Sequence, residues 1–260
     1  RPITDNGETL TPGQVAIGSN ESLGISSSET DISVILRSRL QKIDVEIEDY
    51  DQILKDFSIT VDSHLKNFIK AAKDFKFVKP LGDHAPNDRI IHEAVGVVAM
   101  ITPWNWPINQ IALKVLPALA TGCACVLKPS EHTPISAMVY AEILDEAGCP
   151  PGVFNLVNGT GTAVGAALSR HPDIRMISFT GSTNAGIAVS HDAAPMVKRV
   201  TLELGGKSPN LVFADCDLEE RVATSVAKTM FNTGQSCDAA TRLLVERNCY
   251  DQVLEIAKRT

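Results

Sequence analysis

The 260-residue sequence lacks a surplus of positive charge, since 24 Lys and Arg face 31 Asp and Glu for a formal net charge of −7. With a pI near 5.4, it offers no electrostatic footprint for nucleic acid or an anionic membrane, both of which call for clustered Lys and Arg. It also lacks any apolar run approaching the roughly 20 residues of a membrane helix, and its N-terminus lacks the basic-then-apolar pattern of a secretion signal. The expectation is small-molecule chemistry in the cytoplasm, with no nucleic-acid and no membrane partner. Cysteine is present but not concentrated. Six thiols, at 123, 125, 149, 216, 237 and 249, are spread along a long chain, which argues for reduced cysteines and against a disulfide scaffold. Cys123 and Cys125 share a face of an apolar segment with no second Cys or His pair nearby. They read as small core residues, and no metal site is expected.

What the sequence does have is 44% hydrophobic and 21% charged residues, enough to bury a real core. It begins at Arg1, not Met, which suggests processing or truncation. Residues 1–30 are rich in Gly, Ser, Thr, Asn and Glu, and read as loop or poorly ordered chain. From about 31 to 76, Leu54, Phe57, Leu65, Phe68 and Ile69 recur among acids and lysines, predicting two or three surface helices. From residue 95 short β-branched runs alternate with amphipathic stretches. Residues 95–101, 125–128, 153–157 and 175–179 read as strands, and 108–120, 135–147 and 163–170 as helices. Such alternation predicts parallel strands joined by crossover helices, an α/β doubly wound, Rossmann-like sheet. Ligands of that architecture lie at the C-terminal strand ends. A last unit follows, with strands over 200–204, 211–213 and 242–245 and a helix over 218–231.

The residues after each strand carry the candidate chemistry. After the first comes Thr102-Pro103-Trp104-Asn105-Trp106-Pro107, a rigid turn with Pro107 suited to a first helical position. Asn105 either donates its amide to a developing oxyanion or caps the helix. After the second, Lys128 and Glu131 could bracket a ribose, Glu131 accepting from the 2′-hydroxyl and repelling a 2′-phosphate; they could equally be a solvated turn. After the third, Gly159-Thr160-Gly161 with Gly165 has GxGxxxG spacing, a weak variant of a phosphate-binding fingerprint. After the fourth, Phe179-Thr180-Gly181-Ser182-Thr183 opens a helix whose free amides could receive a pyrophosphate. Glu203 lies between two leucines and before Gly205-Gly206. Apolar neighbours raise a carboxylate pKa and suit a general base; the alternative is a glutamate on the open face of an edge strand. Cys237 ends Gly234-Gln235-Ser236-Cys237, a flexible polar loop after a helix, where a thiol is accessible but could still be structural.

Taken in order, PWNWP, KPSE, FTGS, LELGGKSP and GQSC resemble the NAD(P)-dependent aldehyde dehydrogenase superfamily, densely from about residue 64 to the end. The resemblance implies that Cys237 attacks the aldehyde as thiolate, that Asn105 and the Cys237 amide hold the oxyanion of the thiohemiacetal, and that Glu203 activates water against the thioester. Lys114 would help relay protons. Lys128 and Glu131 would hold the adenosine ribose, Gly161, Gly165, Phe179, Gly181 and Ser182 would form the dinucleotide cleft, Leu204 would touch the nicotinamide side, and Ile101, Pro103, Trp104 and Ser130 would also bind the cofactor. The implied cofactor is NAD, with NADP disfavoured by Glu131. The implied organisation is a dinucleotide-binding domain over 31–204, an oligomerisation hairpin near 77–95 and the N-terminal part of a catalytic domain over 205–260. Members of the family run to nearly twice this length and form homo-dimers or homo-tetramers. The resemblance therefore marks this chain as truncated, and an alternative function is a non-catalytic dinucleotide-binding or interaction protein. Asn184 stands where Glu is usual, and Ala240 where Pro or Gly is common.

Overall fold

A computed structural model describes residues 50–260, with side chains from Val61 onward. The expectations for residues 1–30 and for helices upstream of Tyr50 fall outside the described residues. The first described element is helix α1 (Tyr50–Asp74). Two or three helices were expected across 31–76, but from Tyr50 on there is one uninterrupted helix. No Pro or Gly interrupts it, and Asp62 with Lys66 (2.6 Å) and Lys70 with Asp74 (2.6 Å) form i,i+4 pairs along its surface. Val61 anchors its inner face in the core.

An antiparallel hairpin follows, β1 (Val78–Pro80) with β2 (Arg89–Ile91). The main sheet has five strands: β3 (Val97–Ile101), β4 (Ala124–Lys128), β5 (Phe154–Leu156), β6 (Met176–Gly181) and β7 (Arg199–Leu204), in the spatial order β5-β4-β3-β6-β7. The pairs β3–β4, β3–β6 and β4–β5 are parallel. The connections are α2 (Pro107–Ala120), α3 (Pro134–Glu146), α4 (Ala166–Arg170) and α5 (Thr183–Ala193). The expected α/β sheet is thus present, and strand ends moved by a residue or two. Val98, Met100, Cys125 and Leu127 face Ile111, Val115, Ala137 and Tyr140 in one cluster, while Ala99, Ile177 and Phe179 are buried as well. Parallel strands have this two-sided burial because helices cover both faces. Each large side chain so buried contributes about 1.5–3 kcal/mol. Burial also pushes the Cys125 thiol up to about 12, with Cys123 and Cys149 nearby adding to it, which makes it packing and not a nucleophile.

The chain divides into two compact units, residues 50–180 with Ile187–Leu202, and Gly181–Gly186 with Glu203–Thr260. The second contains a two-stranded parallel ribbon of β8 (Pro209–Val212) and β9 (Arg242–Val245), with α6 (Leu218–Met230) and α7 (Tyr250–Arg259). Its core is Val212, Leu218, Val222, Cys249, Val253 and Ile256. Among the described residues no helix is long and apolar enough to cross a membrane.

Candidate active site

Strand ends in the first unit form a row. Register sets Ile101 of β3 beside Lys128 of β4 and beside Phe179 of β6, and the three are 7%, 2% and 5% exposed. Gly165 joins them, since a Cβ built on it would lie 3.8 Å from Ile101 Cδ1 and 4.0 Å from Lys128 Cδ. The structure therefore brings four of the sequence-identified residues together. The reason is topological: the chain leaves β3 toward β4 and β5 on one side and returns to β6 on the other, making a switch point, where open α/β sheets bind ligands.

Lys128 lies buried along this row and donates from Nζ to the Pro129 carbonyl (2.6 Å) and to Glu131 Oε2 (3.2 Å). Glu131 is exposed. The backbone amide of Glu131 itself, and then Lys128, hold its carboxyl below the usual range. Ser130 is buried, and its Oγ accepts from the His132 amide (3.3 Å). Beyond β5, Gly161–Gly165 form one wide helical turn capped by Thr160, whose Oγ1 accepts from the Ala163 amide at 3.3 Å. Open space surrounds Gly161, whereas a Cβ on Gly159 would lie 2.4 Å from Val164 Cγ2. Only glycine fits there.

Two buried hydroxyls were not identified from the sequence. Thr102 and Thr180 follow Ile101 and Phe179, are 3% and 5% exposed, and have no hydrogen-bond partner for Oγ1. Such orphaned groups cost about 1–3 kcal/mol each. Pro103 and Asn105 are partly buried, and Trp104 is exposed. Trp106 occupies the N-cap of α2 with Pro107 at its first position, one residue later than the capping alternative for Asn105 requires. Lys114, 9% exposed on α2, donates from Nζ to Ser178 Oγ (3.1 Å). Ser178 was also missed. Strand alternation sets it on the same face of β6 as Thr180.

In the second unit Glu203 and Leu204 end β7. Of the two settings the sequence left open for Glu203, the open face of an edge strand is the one observed: it is exposed on edge strand β7 while Leu202 and Leu204 are partly buried. Residues i±1 in a strand project to the opposite face, so the two leucines cannot enclose the carboxylate between them. The glycine pair has a clearer role: a Cβ on Gly206 would lie 3.2 Å from the Cys237 carbonyl oxygen. Absence of that Cβ lets the loop after Glu203 approach the loop of the thiol.

Cys237 is partly buried, and its loop is more constrained than the flexible segment expected. After α6, Asn232, Thr233 and Gly234 all adopt positive φ (50°, 59° and 72°), a conformation that costs a β-branched residue about 1–3 kcal/mol. The Gln235 amide donates to the Asn232 carbonyl (3.0 Å), and the Ala239 amide to the Ser236 carbonyl (3.2 Å). The second bond closes a tight turn with Cys237 and Asp238 at its corners. Ser236 Oγ donates to Asp238 Oδ1 at 2.6 Å, and Thr229 Oγ1 ties the following strand through the Ala240 carbonyl (3.2 Å). In the Gly181–Gly186 segment, Ser182 closes the first turn of α5, accepting from the Ala185 amide on Oγ (3.3 Å) and from the Gly186 amide on its carbonyl (2.9 Å).

A family model of the aldehyde dehydrogenase family matches residues 35–260, so the likeness begins well upstream of residue 64, where the motifs become dense. Among curated proteins, the chain is 54% identical over 197 residues to a 3-succinoylsemialdehyde-pyridine dehydrogenase from Pseudomonas sp, covering 75% of this chain and 40% of that one. Among solved structures, an aldehyde dehydrogenase from Bartonella henselae is 47% identical with a TM-score of 0.83, covering 96% of this chain and 52% of that one. A cysteine-to-alanine variant of aldehyde dehydrogenase C from Pseudomonas syringae, solved with NAD+ and octanal, is 40% identical with a TM-score of 0.73, covering 95% and 52%. The chain thus spans about half the length of the relatives it matches. With the family model over most of the chain and these identities across both units, the protein belongs to the aldehyde dehydrogenase family.

Proposed function

We propose that the protein serves NAD-dependent oxidation of an aldehyde to a carboxylic acid. The observation that carries this reading is the close approach of Gly206 to the Cys237 carbonyl, which holds the thiol's turn against the loop that follows Glu203. Cys237 is the nucleophile that adds to the aldehyde carbon, and its thioester is the species that water resolves. Glu203, exposed at the end of β7, takes the proton from that water. Asn105 supplies an amide donor to the oxyanion, and Lys114 relays protons with Ser178 as its partner.

The first unit fits a dinucleotide. It offers an apolar row (Ile101, Phe179), a buried cation (Lys128), an open glycine turn (Gly161–Gly165) and two orphaned hydroxyls at a switch point. NAD bound there would accept the hydride from the aldehyde carbon. The relative from Pseudomonas syringae was solved with NAD+, and the Glu131 carboxylate disfavours a 2′-phosphate, hence NAD over NADP. Assembly into dimers or tetramers through the hairpin near 77–95 belongs to the same reading. So does the division into a dinucleotide-binding domain (31–204) and part of a catalytic domain (205–260). A second reading, dinucleotide binding without turnover, is favoured by one fact: Ile101, Lys128, Gly165 and Phe179 form their row wholly within the first unit.

The test is NADH formation from NAD+ across a panel of aldehydes, together with iodoacetamide trapping of each thiol. Turnover that Cys237→Ala reduces to background, with Cys237 alkylated faster than the other five cysteines, is the expected result. Calorimetric NAD binding with no NADH from any aldehyde would leave the second reading standing instead.

A further inference from the structure

The tight turn that presents Cys237 presents a second side chain whose chemistry the proposed reaction does not use. Cys237 and Asp238 are the two corner residues of the turn closed by the Ala239 amide on the Ser236 carbonyl (3.2 Å). Asp238 is exposed, yet its carboxylate is fixed, because Ser236 Oγ donates to Oδ1 at 2.6 Å. Ser236 and Asp238 thus flank Cys237 in the chain and are tied to each other across it, and Gly206 lies close to the Cys237 carbonyl (3.2 Å from a built Cβ). Consecutive Cα atoms are about 3.8 Å apart, and with the reach of the two short side chains the carboxylate stands within about 10 Å of the sulfur.

We propose that Asp238 is a specificity-determining residue that favours aldehydes carrying a cationic group, such as an ammonium, close to the carbonyl, and disfavours aldehydes carrying a carboxylate or phosphate there. This rests on Cys237 as the nucleophile. The physical basis is the local field. A unit charge about 6 Å away in water changes the local concentration of a singly charged reactant about threefold, so reactants of opposite charge differ about tenfold. The Ser236 hydrogen bond strengthens the effect, because it keeps the carboxylate from swinging away into solvent.

The test uses the whole chain and needs no turnover. Cys237 is modified with a cationic and an anionic methanethiosulfonate of equal size, and its rates are read by peptide mapping in wild type and in Asp238→Asn. Cys216, exposed in the same unit and distant in sequence from the substitution, serves as the internal reference. The expected result is a cationic-to-anionic rate ratio at Cys237 about tenfold higher in wild type than in Asp238→Asn, with the ratio at Cys216 unchanged. A ratio at Cys237 that stays within a factor of about two overturns the proposal. Should the variant fail to fold, the wild-type ratio is followed from about 0.01 M to about 1 M salt, where the screening length falls from about 30 to about 3 Å. A ratio that does not fall toward unity overturns the proposal equally. Whether Cys237 is the catalytic thiol is read separately, from its absolute rate with neutral iodoacetamide. A slow thiol with an Asp238-dependent ratio would sink the catalytic reading while sustaining the field, and a fast thiol with no such dependence would do the reverse.

Discussion

The two units hold their candidate residues by different means. In the first, Lys128, Ile101 and Phe179 are fixed by five-stranded register and nearly complete burial. In the second, Cys237 and Asp238 sit at the corners of a turn and Glu203 at the exposed end of edge strand β7, and the unit's own sheet is a two-stranded ribbon. Two strands are marginal in isolation, and this ribbon leaves Leu211 and Leu244 exposed at 61% and 47%. The buried strand-end row is a product of the packed sheet. The Cys237 loop depends instead on local hydrogen bonds and a backbone at positive φ.

The comparison can be broken most directly through the cores. Ile111 is 0% exposed in the first unit and Ile256 2% in the second, so Ile111→Ala and Ile256→Ala should each cost about 2–5 kcal/mol. Both tryptophans, Trp104 and Trp106, lie in the first unit. Their fluorescence should report its urea unfolding, while far-ultraviolet circular dichroism reports both units. Ile256→Ala is expected to lower an early dichroism transition and leave the fluorescence midpoint in place, with Ile111→Ala moving the fluorescence midpoint. Coincident shifts in both signals would mean that the units unfold as one.

A smaller effect sharpens the account of the glycine turn. Gly159→Ala forces a methyl to 2.4 Å from Val164 Cγ2 at φ +153°, whereas Gly161→Ala meets nothing within 4 Å. The first should cost about 1–3 kcal/mol in thermal or urea unfolding and the second less than about 0.5. Equal costs would remove the argument that Gly159 is sterically required.

The smallest effect concerns charge at the cleft's rim. The Glu131 carboxyl is lowered from its ordinary value of 4.5, first by its own backbone amide and then by Lys128. A depressed folded-state pKa contributes stability above the unfolded value, and that contribution is lost as pH falls through the folded value. The melting temperature of wild type should therefore drop relative to Glu131→Gln as pH is lowered below 4.5. The difference should be slight, because the carboxylate is 44% exposed. A wild-type advantage that persists or grows as the pH falls would contradict the assignment.

Much of this was legible from one dimension. β-Branched runs separated by amphipathic stretches marked β3 to β6 within a residue or two, because a two-residue and a 3.6-residue hydrophobic period are distinct signals. Helical character was legible over Tyr50–Asp74, where apolar residues recur among acids and lysines with no Pro or Gly between them; the rest of the expectation for 31–76 lies outside the described residues. Ser178 was invisible, since its importance comes from Lys114, 64 residues away. Of the two settings open for Glu203, the exposed face of an edge strand holds, because neighbours in sequence are on opposite faces of a strand and two flanking leucines do not make an apolar pocket.

The alternation of elements and the order of the strand-end motifs are properties of the one-dimensional chain, because local periodicity and residue chemistry are written one position at a time. Only the tertiary structure decided that Lys128, Ile101, Phe179 and Gly165 form one row and that Thr102 and Thr180 are left without partners. It also decided that Cys237 shares a pinned turn with Asp238. Strand register, burial and turn closure join residues far apart in the chain, and their energies exist only once those residues have met.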